Sequence, residues 1–389
     1  MASHLPANSP LHLLVAVLAL PWWLDPVRCG SRPAAEAAVA PDDTPPPGPD
    51  AGSEPFAPPT DAEAGEPAVL AAPAGIDHET LPERLTSAGF TPPAGGFLAC
   101  VVELDLDETR ARVVAERRYD WHGTGTEVGD WNAASTVKLY AAVAALLRIR
   151  ALGFEPRATL VFDGTDPDPR FTVTELVQAA VGPSDNLAYD YLVVFTGFDE
   201  LHEQFLVPEN GFEGTVLRVA YASGPWERLG FSRFLRDSPA ITIEQDERTQ
   251  VLPDAHGRAA APCARAVCTT PVELAEALLR VVLQERLPAE RSYGLAPEDL
   301  ELLRGLLRST RERGEEVVER LRPSFGPETT FYHKAGFSKD WYTDNVLIDD
   351  PDRSRAWVVV LAGYPGRAVL NEAAVAVGGL LAAGGLGDA

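Results

Sequence analysis

The feature that most constrains the fold is the placement of apolar, strand-like runs at both ends of residues 76–389, with helical patterns between them. Phe97–Leu106 and Arg110–Tyr119 are rich in Val and Leu and are separated by a polar turn at Asp107–Thr109, the pattern of a β-hairpin. Towards the other end Thr329–Lys334, Thr343–Asp349 and Ala356–Ala362 read as strands, and Val369–Ala383 as a closing helix. A helical stretch is expected near Ile76–Ala88, and further helices at Ser135–Gly153, Val173–Val181, Leu187–Thr196, Val272–Glu285 and Pro297–Arg308. Residues 205–262 lack clear periodicity and read as a long irregular excursion. Strands at both ends with helices between them suggest one sheet assembled from the two termini. The expected fold is therefore α/β, of the α+β type: a central antiparallel sheet of about five strands flanked by helices, with an inserted, mostly helical subdomain.

What precedes this domain reads differently. Residues 11–24 form an apolar run suited to a secretory signal and too short for a spanning helix, so residues 1–30 are expected to direct export. Cys29 is a candidate for lipid attachment. Residues 31–75 are rich in Pro, Ala and acids, with Phe56 as their single aromatic residue, and are expected to be a disordered linker. The protein is thus expected in the periplasm or outside the cell. Membrane association is expected only through a lipid anchor or an uncleaved signal. The formal net charge of −24 argues against binding nucleic acid through charge. Cys263 and Cys268 could close a short loop in an oxidising compartment; lone buried thiols fit equally well. No metal-ligand spacing is present, and neither a phosphate loop nor a Gly-x-Ser-x-Gly elbow occurs.

Lysine usage narrows the chemistry. Of 33 basic residues only Lys138, Lys334 and Lys339 are lysine. A guanidinium does not give up its proton in a protein, whereas a buried ammonium does, so a lysine kept against an arginine bias invites a chemical reason. Lys138 belongs to Ser135-Thr-Val-Lys138, which opens an apolar helix; at a spacing of three the amine can reach the serine hydroxyl. A serine at a helix N-terminus also has backbone N–H groups nearby for developing negative charge. Burial in apolar surroundings would lower the Lys138 pKa and let it act as base. Pro183-Ser184-Asp185-Asn186 starts a second helix, where Ser184 could relay a proton and Asn186 could bond both Lys138 and a substrate amide. The bland alternative is an ordinary helix cap. His333-Lys334-Ala335-Gly336-Phe337 lies on a strand, where Lys334 could hold a carboxylate and Gly336 could let a substrate approach the backbone. Here the alternative is a solvated edge-strand lysine.

The order Ser-x-x-Lys, Ser-Asp-Asn and Lys-x-Gly strand resembles class A β-lactamases and penicillin-binding proteins. Thr269-Thr270-Pro271 looks like the family's Thr-Thr-Pro helix start, Leu302–Glu315 resembles the helix ahead of the lysine strand, and the likeness runs over about residues 76–384. The resemblance implies catalysis by Ser135, Lys138 and Ser184, with Asn186, Lys334, Gly336 and Phe337 binding substrate. The backbone N–H groups of Ser135 and Phe337 would form an oxyanion hole. No metal or organic cofactor is implied, and a monomer is expected. Two departures stand out. Lys334-Ala335-Gly336 lacks the hydroxyl of the family's Lys-Thr-Gly, and Val216–Trp226 replaces the expected Glu-x-x-Leu-Asn, whose glutamate activates the deacylating water. Glu203, Glu209, Glu213 and Glu227 lie nearby, but nothing in the sequence assigns one to that task. The expected activity is opening of a β-lactam or related amide through an acyl-Ser135 intermediate. The alternatives are a D,D-peptidase or transpeptidase acting on cell-wall peptides, and a protein that is acylated or occupied without turnover.

Overall fold

A computed structural model describes residues 75–387, except for 94–95, 129–130, 165–167, 223–234, 264–266 and 311–315. The signal-like segment 1–30 and nearly all of the linker 31–75 lie outside the described residues.

In chain order the domain opens with helix α1 (Thr80–Ser87) and strands β1 (Phe97–Leu106) and β2 (Val113–Asp120). Then come α2 (Lys138–Ala151), β3 (Thr159–Phe162), β4 (Arg170–Thr172), α3 (Val173–Val181) and α4 (Asn186–Thr196). Short strands follow: β5 (Val216–Leu217), β6 (Asp237–Ser238), β7 (Ile241–Gln245), β8 (Arg248–Leu252), β9 (Ala255–His256) and β10 (Val267–Cys268). The chain ends with α5 (Pro271–Val282), α6 (Pro297–Leu307), α7 (Glu316–Leu321), β11 (Thr330–Phe337), β12 (Tyr342–Asp350), β13 (Arg355–Gly363) and α8 (Ala368–Ala382). Among the described residues no helix is long and apolar enough to cross a membrane.

The main sheet is antiparallel, in the order β11-β12-β13-β1-β2, so strands from the two ends of the domain meet where β1 pairs with β13. Strand alternation explains why β1 reads as a continuous apolar run. Leu98, Cys100, Val102 and Leu104 enter one core, together with Val358 and Val360 and the apolar faces of α2 and α5. Phe97, Ala99 and Val101 enter the other, together with Trp357 and Val359, under α1 and α8. Both faces are covered, and each fully buried Val is worth about 1.5–3 kcal/mol. The hairpin between β1 and β2 is longer than expected. Arg110 takes a φ of 59° and Asp107 accepts from the Ala111 N–H at 2.8 Å, so strand pairing resumes only at Val113.

The insertion departs further from expectation. Helices α2, α3 and α4 form its apolar centre, but a second sheet, in the order β4-β3-β7-β8, packs with them. It draws two strands from within residues 205–262, so that stretch is not irregular throughout. The signal was weak because β8 is mostly exposed and polar while β4 has 3 residues. Cys263 and Cys268 form a disulfide. Next to it α5 begins with a capping box between Thr270 and Glu273. The Glu273 carboxylate also accepts from the Glu213 and Gly214 N–H groups, both at 2.6 Å, tying the excursion to this helix.

Candidate active site

Ser135 lies in a single 3₁₀ turn, Ala134–Val137, and the α-helix proper starts at Lys138 rather than at Ser135. In 3₁₀ geometry residues three apart eclipse one another, which stacks Ser135 and Lys138 on one side of the turn. Ala134, just before the nucleophile candidate, has a φ of 48°, in the left-handed region that costs a non-glycine residue about 1–2 kcal/mol. Its N–H donates to Asn132 Oδ1 at 2.8 Å, and its carbonyl accepts from the Tyr221 hydroxyl at 2.8 Å. The Thr136 hydroxyl ties the turn to the Ala133 carbonyl at 2.7 Å.

Lys138 is fully buried. Its amine donates to the Ser184 carbonyl and to Asn186 Oδ1 at 2.7 Å, and lies 3.4 Å from Ser184 Oγ. The Ser135 hydroxyl is not among the hydrogen-bond partners of this amine. Burial lowers the amine's pKa to about 8, against the raising influence of Asp185 and Asp190. Ser184 also has a left-handed backbone, with a φ of 67°. Asp185 caps α4 by accepting from the Ala188 N–H at 2.7 Å, so the cap reading holds for Asp185 while Ser184 and Asn186 face the amine.

Lys334 is not a solvated edge residue. It is 5% exposed, and its amine donates to Ser184 Oγ at 2.9 Å. Burial, and then the charge of Lys138, push its pKa down to about 7, with Asp344 pulling the other way. The Ser184 hydroxyl therefore stands between two buried amines. Gly336 has a reason to be glycine besides the one expected. A Cβ there would come within 2.4 Å of the Ala133 carbonyl and 2.9 Å of the Ser135 nitrogen, so close packing of β11 on the Ser135 turn itself demands glycine. Phe337 ends β11 and is 56% exposed, and the Arg367 guanidinium lies 5.0 Å from its ring centroid.

A cavity of about 710 Å³ opens beside these groups, lined by Ser184, Lys334, Phe337, His333, Gln178 and Arg367 among others. Ser135, Lys138 and Asn186 do not line it. Of the expected residues, then, Lys138, Ser184, Asn186 and Lys334 form one hydrogen-bonded group, and Gly336 abuts Ser135. Among the described residues no group of three or more His, Cys, Asp or Glu side chains could hold a metal ion.

Sequence reasoning missed Asp190 and Tyr221. Asp190 is fully buried on α4, one turn beyond Asn186, and accepts from the Tyr221 and Ala222 N–H groups, both at 2.8 Å. A lone acid inside the apolar run Leu187–Thr196 was a legible sign of a buried partner. For Tyr221 no sequence signal existed. Its ring lies 4.6 Å from that of Tyr189 and 5.7 Å from the Lys138 amine.

A family model described as the Beta-lactamase enzyme family matches residues 126–381. Among solved structures, PBP-A is similar at 18% identity, covering 79% of this chain and 97% of its own, with a TM-score of 0.49. A mutant of the last common ancestor of Gram-negative bacteria β-lactamase class A is 22% identical, covering 77% of this chain and 96% of its own, with a TM-score of 0.47. A putative class A β-lactamase, PenP from Rhodopseudomonas palustris, is 20% identical over 79% of this chain and 99% of its own, with a TM-score of 0.48. No curated protein matches the sequence.

Proposed function

The chain belongs to the β-lactamase enzyme family, and from that premise we propose that it is an exported serine hydrolase that opens β-lactams or related amides through an acyl-Ser135 intermediate. The observation that carries this reading is the Ser184 hydroxyl, which lies 2.9 Å from the Lys334 amine and 3.4 Å from that of Lys138. A buried amine with a pKa near 8 is partly neutral at working pH and can accept the Ser135 proton. The Ser135 oxygen then bonds to the substrate carbonyl carbon, and the Ser135 N–H can donate to the oxyanion that forms. As the carbon–nitrogen bond breaks, the Lys138 proton passes through the Ser184 hydroxyl to the departing nitrogen. Lys334 and Arg367 beside the cavity suit a substrate carboxylate. Support for export comes from the apolar run 11–24 and from the Cys263–Cys268 disulfide, a bond that persists in oxidising compartments.

One observation favours a second reading, in which the acyl-enzyme is long-lived, as in a penicillin-binding peptidase. Among the described residues, the Tyr221 ring lies 5.7 Å from the Lys138 amine, and no carboxylate bonds to that amine. Incubating the mature protein with a chromogenic cephalosporin and a labelled penicillin, while following product and adduct together, separates the two. Fast product formation supports the lactamase, a persistent adduct the peptidase, and neither signal removes both.

A further inference from the structure

We propose that Tyr221 is a positioning residue of this site, whose hydroxyl, by holding the Ala134 carbonyl, sets the direction of the Ser135 N–H and the aim of the Ser135 side chain. The inference rests on the reading of Ser135 as nucleophile. The Ala134 carbonyl and the Ser135 N–H belong to one planar trans peptide and point in opposite directions. A bond that holds the carbonyl on the Tyr221 side therefore turns the Ser135 N–H away from it. That N–H belongs to the turn against which Gly336 is packed, where an added Cβ would lie 2.9 Å from the Ser135 nitrogen.

The peptide needs such a brace. Ala134 is buried and has a φ of 48°. Side chains hold both of its backbone groups, the N–H through Asn132 and the carbonyl through Tyr221. Tyr221 is in turn fixed from α4, because Asp190 accepts from its N–H and from that of Ala222, each at 2.8 Å. The same helix presents Asn186 to the Lys138 amine at 2.7 Å. One helix thus holds the base directly and the nucleophile's peptide through Tyr221. Burial keeps the phenol protonated, so it remains a donor over the working pH range.

Tyr221→Phe deletes only the hydroxyl. The acylation rate constant at saturating labelled penicillin should fall by about tenfold or more, with the preceding dissociation constant within twofold and the pH profile unmoved. Tyr189→Phe is the matched control. It sits against the same ring and removes a buried hydroxyl that makes no hydrogen bond among the described residues, so its acylation should equal that of the wild type. Labelling of Ser135 by a fluorophosphonate, which needs the nucleophile but no β-lactam site, is followed in parallel. If the wild type reacts with fluorophosphonate alone and Tyr221→Phe slows it, the brace stands and the β-lactam reading falls. Equal rates for Tyr221→Phe and wild type with every reagent that labels overturn the brace, as does an equal loss in Tyr189→Phe. If neither reagent labels Ser135 in the wild type, both readings fall.

Discussion

Two clusters of buried charge among the described residues are built on opposite rules. On α5, Glu276 meets three guanidiniums, with Arg118 at 2.8 Å, Arg280 at 2.7 Å and Arg291 at 2.7 Å. Glu116 completes the group with bonds of 2.6 Å to both Arg118 and Arg291. Every charge there faces its opposite. Burial pushes the Glu276 carboxyl up, but Arg291, Arg118 and Arg280 outweigh it and hold the group down at about 2. Around Ser184 the rule is reversed. Two amines of like charge are buried, and their direct hydrogen-bond partners are neutral oxygens of Ser184, Asn186 and Ala335. In the first cluster each charge is compensated, so removing one partner would leave the others buried and unpaired. The second gives up stability to bring an amine within reach of its neutral form, as a general base requires.

Substitutions can break or sharpen this contrast. The largest effect is expected at the proposed nucleophile: Ser135→Ala should abolish the penicillin adduct seen by intact-protein mass, and an adduct that survives would place the nucleophile elsewhere. Lys138→Arg keeps the charge but cannot release its proton, so acylation should fall by about 10³-fold. Near-normal rates would mean that the neutral amine is not needed. Glu276→Gln should do the opposite, costing about 3–5 kcal/mol in urea unfolding while folded protein acylates at the wild-type rate. Loss of acylation without loss of stability would invert the comparison. The smallest effect is expected for Lys334→Met, which should raise stability at pH 7 by about 1–2 kcal/mol as it removes one of two crowded ammoniums. The sign follows from linkage. Lys334 is lowered in the fold from 10.5 to about 7, so between those values the unfolded chain binds more protons and stability rises with pH. Thermal midpoints across that window should climb more steeply in the wild type than in Lys334→Met, and equal slopes would remove Lys334 as their source.

Much of the fold was legible because its signals are local. Helix α3 falls where periodicity placed it, at Val173–Val181, and the strands of the main sheet were found within a few residues. Strand ends were less certain, as the Arg110 turn shows. In the second sheet β8 has no buried residue and leaves no alternation to read, whereas β7 does bury Ile241 and Ile243 on alternate positions and was missed within a long polar stretch. At the site, the lysines were conspicuous by their rarity and Ser184 and Asn186 by their motif, but Tyr221 looked like any loop aromatic.

From the order of its residues alone, the chain determined which segments become helix or strand and which side chains are capable of proton transfer. Those properties depend on periodicity and on intrinsic chemistry, which are carried within a few positions. Tertiary structure decided which of these groups meet. Lys138 and Lys334 share one hydroxyl across separations of 46 and 150 residues, and Tyr221 reaches Ala134 across 87. It also decided that Gly336 must be glycine to clear the Ser135 turn. Contacts over such distances depend on how helices and strands pack, which no short stretch of sequence encodes.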